Sequence, residues 1–153
     1  MNKKLRDIFQ LDQQLCFTLY STSLAMTKVY RPILKNWGLT YPQYFVLLAL
    51  WKKDGVTVSS LGDNLFLDSG NLTPLLKRME TMKLLVRKRS LVDERQVLVS
   101  LTAKGVDMRQ ELNFLPEKML DSSGCAEKER VTLTGKLKKV RSALVRQQGV
   151  FDP

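Results

Sequence analysis

Three observations in the middle of the chain predict a mainly helical fold with a small β-hairpin. Residues 67–102 read LDSGNLTPLLKRMETMKLLVRKRSLVDERQVLVSLT, and Leu72, Leu75, Leu76 and Met79 fall there at helical spacing. Two short runs follow, Leu85 to Ser90 and Arg95 to Leu101, separated by a polar turn with Asp93 and Glu94. Val97, Val99 and Leu101 alternate as one buried strand face would. A short helix followed by a basic hairpin is the pattern of a winged helix-turn-helix. The expected class is therefore mainly α with a β-hairpin wing (α+β).

Upstream, residues from about Asp7 to Lys35 carry a long helical pattern, with Ile8, Leu11, Leu15, Leu19 and Met26 on one broad stripe. A helix of that length needs a neighbour to bury its stripe. It sets Cys16 and Tyr20 one turn apart on one face, with Tyr30 farther along and Gly38 closing the element. Thr40-Tyr41-Pro42-Gln43 has capping-box spacing with Pro tolerated in the first turn, and opens an apolar helix through Trp51. Asp54-Gly55 ends that helix, and Val56-Thr57-Val58 is a candidate minimal strand. Ser59 or Ser60 is expected to cap a helix carrying Leu61, Leu65 and Phe66, and Asp68 or Ser69 to cap the next.

Two short helices joined by a tight turn make a helix-turn-helix, with the second as reader. With the apolar stripe inward, Ser69, Asn71, Thr73, Lys77 and Arg78 face outward, where they can reach base edges and phosphates. A plain solvated face is the alternative. Pro74 lies about five residues into this helix, so either the helix starts later or its first turn is distorted. The hairpin carries Arg87, Lys88, Arg89 and Arg95. An Arg at a wing tip suits the negative potential of a narrow minor groove, and Asp93 is spaced to orient Arg95 by a bidentate pair. A charged edge hairpin that resists aggregation is the alternative.

Thr102 is expected to cap another helix with Val106, Leu112 and Leu115 on its apolar side, interrupted at Pro116. Asp121-Ser122-Ser123-Gly124 reads as a turn before Cys125. A last helix is expected from about Glu127 to Gln147, with Val131, Leu137, Val140 and Leu144 at helical spacing. Its Lys136, Lys138, Lys139 and Arg141 read as a solvated face. The resulting map is one interleaved domain, with a winged unit over 39–102 and dimerisation helices over 1–38 and 103–153. A twofold dimer buries the terminal stripes and sets two reader helices about one DNA turn apart, roughly 34–36 Å.

Composition narrows the chemistry. The net charge of +10 suits a polyanion such as nucleic acid, although charge alone leaves an anionic membrane or solubility open. No apolar run approaches the ~20 residues of a membrane span, and the first residues lack the apolar core of a signal peptide, so a cytoplasmic protein is expected. The chain has no histidine, which removes Ser-His-Asp and Cys-His catalysis and His-ligated zinc. Its two cysteines, Cys16 and Cys125, lie far apart, so one chain offers no Cys-rich metal site, and neither metal nor cofactor is expected. Two thiols in a reducing cytosol are more often inert core residues than anything else.

The whole chain resembles a MarR-type transcriptional regulator. Asp93-Glu94-Arg95 followed by Val97-Leu98-Val99-Ser100-Leu101-Thr102 is similar to the wing motif of that family. Leu15-Cys16-Phe17 with Tyr20, then Gly38-Leu39-Thr40-Tyr41-Pro42-Gln43-Tyr44, then Leu65-Phe66-Leu67-Asp68-Ser69-Gly70 resemble the OhrR-type organic-hydroperoxide sensors of the two-cysteine subgroup. The resemblance implies that Cys16 is the peroxidatic cysteine and Cys125 the resolving one. It implies that Tyr30 and Tyr41 of the partner subunit hydrogen-bond the reactive sulfur and that Tyr20 lies nearby. Asn71 departs from the Thr expected on the reader helix, which bears on operator preference.

The chemistry is consistent with that implication. A thiolate attacks a peroxide O–O bond and becomes a sulfenic acid, which a second thiol converts to a disulfide. Phe17, Leu19 and tyrosine rings can line an apolar pocket, and tyrosine hydroxyls can hydrogen-bond a thiolate without histidine. The function expected is a non-enzymatic, homodimeric repressor that leaves double-stranded operator DNA when an organic hydroperoxide oxidises Cys16 and an intersubunit disulfide forms with Cys125. The alternatives are a MarR-type repressor released by a small aromatic ligand, a thiol peroxidase, and an architectural basic protein with no switch.

Overall fold

Leu15–Leu34 forms the first long helix, α1, in the computed structural model, which describes residues 10–147. The helix does not run unbroken from the amino-terminal side. A 3-10 turn over Leu11–Gln13 precedes it, and Gln14 is extended at ψ 118°, so α1 starts at Leu15. Asp7 and Ile8, where the helical pattern was expected to begin, lie outside the described residues. Another 3-10 turn, Lys35–Trp37, leads to Gly38, whose φ of 68° ends the element in a left-handed conformation open to glycine.

Helix α2, Tyr41–Lys52, begins at the expected capping box, where the Thr40 N–H donates to Gln43 Oε1 at 2.8 Å. Strand β1 is Val56–Thr57, and Val58 belongs to the following helix α3, Val58–Leu65. The cap of α3 is Thr57, which accepts the Ser60 N–H at 3.1 Å, rather than Ser59 or Ser60. Thr57 wins because it is the last extended residue before the turn, the conformation an N-cap requires. Helix α4 is Ser69–Thr81, capped by Asp68. Strands β2, Leu85–Arg89, and β3, Val97–Leu101, pair antiparallel with Arg87 opposite Val99. β1 joins the far side of β3 through Val56 opposite Val99, giving the order β1-β3-β2.

The described residues up to Glu111 form one unit, closed by helix α5, Ala103–Glu111. Its core is aliphatic. Leu34, Leu47, Leu50, Leu61, Leu72, Leu76, Met79, Leu84 and Leu85 are fully buried, each worth roughly 2 kcal/mol relative to exposure. On β3 only Val99 is fully buried, while Val97 and Leu101 are half-buried. Helix α5 turns Gly105 and Met108 inward, and Val106, expected on the apolar side, is exposed. The inward face is set by Gly105, where a Cβ would overlap the Leu84 carbonyl oxygen, so only glycine allows this approach of helix to sheet.

The residues from Leu112 form a second unit. Helix α6, Leu115–Ser123, carries Pro116 in its first turn, where proline is compatible with a helix start. Asp121, Ser122 and Ser123 are its last turn rather than a loop, and Gly124 alone ends it at φ 65°. Helix α7 runs Glu127–Gln147. Val131 and Leu144 are exposed on it, and Leu137 and Val140 half-buried.

Candidate functional site

The reader helix α4 is fixed at its start by two bonds from one side chain pair. Asp68 Oδ1 accepts the Asn71 N–H at 2.8 Å, and Asp68 Oδ2 accepts Asn71 Nδ2 at 2.7 Å. These bonds hold the Asp68 carboxyl below its usual range. Asn71, expected among the outward residues, thus lies exposed but engaged with the cap. Ser69, Lys77 and Arg78 are exposed and Thr73 is half-buried. Pro74 is the sixth residue of α4 and does not delay the helix start; the bond it cannot make is the one to Gly70. At the other end Lys83 takes φ 59°, and the Leu84 N–H donates to the Met79 carbonyl at 3.1 Å, turning the chain sharply into β2.

The wing places its cations unequally. Lys88 and Arg89 are exposed, and Arg89 Nη1 reaches the Glu94 carbonyl at 3.3 Å. Arg95 is 92% exposed, with Nε 3.1 Å from Asp93 Oδ1 and Nη2 3.4 Å from Oδ2. The bidentate spacing read from the sequence is therefore present, and Arg95 lowers the Asp93 carboxyl. Arg87 differs. It is half-buried, and its Nη2 and Nε lie 2.8 and 3.1 Å from Glu80 Oε2, so its charge is engaged inside the fold. Glu80 had no signal in the sequence reading, because the pair joins a helix to a strand across a turn.

Cys16 is exposed in the first turn of α1, its Sγ 3.9 Å from Gln14 Oε1. Tyr20 is exposed one turn along, and Phe17 is half-buried. Tyr30 sits at the other end of α1, buried. Fourteen residues separate Cys16 from Tyr30 on this helix, about 21 Å along its axis. One chain therefore keeps the thiol and the tyrosine apart. Cys125 is half-buried between α6 and α7, and both cysteines are free.

Tyr30 and Tyr41 are brought together. Their rings stack with centroids 4.3 Å apart and planes inclined by 26°. Burial, followed by the neighbouring tyrosines, raises Tyr30 far above the ordinary tyrosine range, and burial raises Tyr41 less. Two further rings complete the cluster. Phe45 lies 4.4 Å from Tyr41, and Tyr44, 2% exposed, lies 5.8 Å from Tyr30 and 6.4 Å from Trp51. Tyr44 and Phe45 follow Tyr41 at helical steps of three and four, a spacing that would have found them. Among the described residues no group of three or more His, Cys, Asp or Glu can hold a metal ion, and no helix is long and apolar enough to cross a membrane.

Residues 28–112 match the family model described as transcriptional regulator SarA/Rot. The chain is 45% identical over 138 residues to the organic hydroperoxide resistance transcriptional regulator of Bacillus subtilis, covering 90% of this chain and 89% of the relative. Among solved structures, reduced AbfR bound to DNA superposes with a TM-score of 0.77 at 32% identity, covering 94% of this chain and 99% of that one; AbfR is from Staphylococcus epidermidis. The disulfide-formed AbfR superposes with a TM-score of 0.61 at 35% identity, covering 92% and 98%.

Proposed function

Because the chain belongs to the MarR-type family of winged-helix transcriptional regulators, with the SarA/Rot and OhrR-type proteins, we propose that this DNA-binding regulator is a redox-switched repressor answering organic hydroperoxides. The observation that carries the proposal is the placing of an exposed Cys16 at one end of α1 and the stacked Tyr30–Tyr41 pair at the other. A second copy laid antiparallel along α1 brings the tyrosine pair of one subunit to the thiol of the other. The uncovered apolar residues of α1, Leu15, Leu24, Met26 and Val29, and those of α7, Val131, Leu133, Leu144 and Val145, favour such a homodimer. Dimerisation then belongs to the segments outside 39–102.

In this reading the Cys16 thiolate attacks one peroxide oxygen, the O–O bond breaks, and the alkoxide leaves and takes a proton as an alcohol. The sulfenic acid condenses with the Cys125 thiol of the second subunit, forming the disulfide and releasing water. The disulfide holds α1 and the carboxy-terminal helices in a new arrangement, so the reader helices lose operator spacing and their phosphate contacts together. That AbfR is known both reduced on DNA and disulfide-formed supports this reading. Ser69, Asn71, Thr73, Lys77 and Arg78 approach bases and phosphates, and Lys88, Arg89 and Arg95 approach the minor groove.

The test is a gel shift on promoter DNA before and after cumene hydroperoxide, paired with a non-reducing gel. Release of DNA together with a linked dimer, both lost in Cys16→Ser, is the expected result. Induction that survives in Cys16→Ser favours a ligand-released repressor and overturns the redox reading.

A further inference from the structure

Two aliphatic side chains stand in solvent at the tip of the wing. Leu91 is 101% exposed and Val92 97%. They are displayed by a turn with a dense hydrogen-bond frame. The Ser90 N–H donates to the Gln96 carbonyl at 2.9 Å, and the Gln96 N–H to the Asp93 carbonyl at 2.9 Å. Ser90, itself buried, accepts the Val92 and Asp93 N–H groups on Oγ at 3.2 and 3.3 Å. Asp93 Oδ1 also takes the Arg95 N–H at 3.1 Å. A framed turn that leaves two apolar side chains in water forgoes their burial, so the frame fits a tip that is covered when the wing is in use.

The surrounding charges select what covers it. Lys88, Arg89 and Arg95 are exposed on the same hairpin. Glu94 is exposed as well, while Asp93 is matched by Arg95. An apolar tip ringed by cations complements a narrow cleft with anionic rims and apolar walls. The DNA minor groove is such a cleft, about 6 Å wide with deoxyribose walls, and proteins that enter it do insert aliphatic side chains. A wholly aliphatic protein groove offers no anion to Lys88 and Arg89 beside the tip.

Resting on the DNA-binding function above, we propose that Leu91 and Val92 form an apolar tip that seats in the minor groove against the sugar walls. They supply a share of affinity that does not depend on salt, while Lys88, Arg89 and Arg95 supply the salt-dependent share.

The experiment is fluorescence anisotropy with a labelled duplex drawn from the chain's own promoter, over a series of salt concentrations. The double variant Leu91→Ser/Val92→Ser is expected to bind about tenfold more weakly at every salt concentration, with an unchanged slope of log K against log salt. Lys88→Ala/Arg89→Ala is expected to flatten that slope. Leu91→Ile/Val92→Leu is expected to bind as the wild type does, since it keeps the aliphatic surface. Unchanged affinity in the serine variant overturns the proposal, and so does a slope that falls with it. A lower oligomeric state of the serine variant in sedimentation without DNA also overturns it, by making the tip a contact between proteins. Failure of the wild-type chain to bind any duplex overturns the DNA-binding function itself and the wing proposal with it.

Discussion

Glu80, in the last turn of the reader helix α4, holds Arg87 on the first wing strand through three hydrogen bonds. The Arg87 N–H donates to Oε1 at 2.9 Å, and Nε and Nη2 donate to Oε2 at 3.1 and 2.8 Å. A carboxylate that takes both the backbone and the guanidinium of one residue fixes the angle between helix and strand. The two elements expected to touch DNA are thereby joined by a strut, and Arg87 commits Nε and Nη2 to Glu80.

Replacing Glu80 by Gln is therefore expected to cost at most ~1 kcal/mol of stability at neutral pH, since the pair is partly solvated and screened. The hydrogen bonds from Arg87, side chain first and then backbone, lower the Glu80 carboxyl below its ordinary value of 4.5. A depressed carboxyl stabilises the fold above the unfolded value, and the contribution is lost as pH falls through the folded one. Denaturant unfolding of wild type and Glu80→Gln should differ at neutral pH and converge on acidification below about 4.5.

DNA binding separates Arg87 from its neighbours. Lys88→Ala and Arg89→Ala should each flatten the salt dependence of affinity by about one phosphate contact, whereas Arg87→Ala should leave the slope unchanged while weakening binding through the misaligned wing. A flattened slope in Arg87→Ala, equal to that of Lys88→Ala, would return Arg87 to the phosphate contacts.

Gly105→Ala should destabilise the winged unit by about 3 kcal/mol, because the new Cβ meets a backbone oxygen of Leu84 that a side-chain rotation cannot move. Thermal unfolding would show it as a fall in Tm of several degrees. Gly135→Ala, on α7 with nothing within 4 Å of the added Cβ, is the control and should be neutral or slightly stabilising.

The tyrosine cluster makes stability sensitive to alkali. Burial raises Tyr30, Tyr41 and Tyr44 above the ordinary value of 10.0. The folded state therefore keeps protons that the unfolded chain gives up, so stability falls as pH rises from 10.0 toward the folded values. Ultraviolet difference titration should show these three phenols ionising late, and Tyr30→Phe should soften the alkaline loss of stability. The same variant retains ring stacking on Tyr41 and removes only the hydroxyl.

Local signals were legible wherever one residue's chemistry decides an element. The Thr40–Gln43 capping box, the Asp68 cap and the span of α7 from Glu127 to Gln147 stand where the sequence put them. The start of α1 did not, because the hydrophobic period continues through Gln14 while the backbone does not. Val106 was expected on an apolar side with Leu112, yet the face α5 turns inward follows Gly105 against Leu84, a contact between segments about twenty residues apart. Arg87 was legible as a cation and not as a partner of Glu80.

The sequence by itself determined the mainly helical winged architecture, the reader helix and its cap, the basic wing and the two thiols, since periodicity, capping and charge are properties of neighbours along the chain. Tertiary structure alone decided that Arg87 is paired with Glu80 while Lys88 and Arg89 face solvent, because only packing brings Glu80 to β2. It likewise decided that Tyr30 and Tyr41 share one stack and that Cys16 lies a helix length away, because ring contact and the rise of α1 are distances in space.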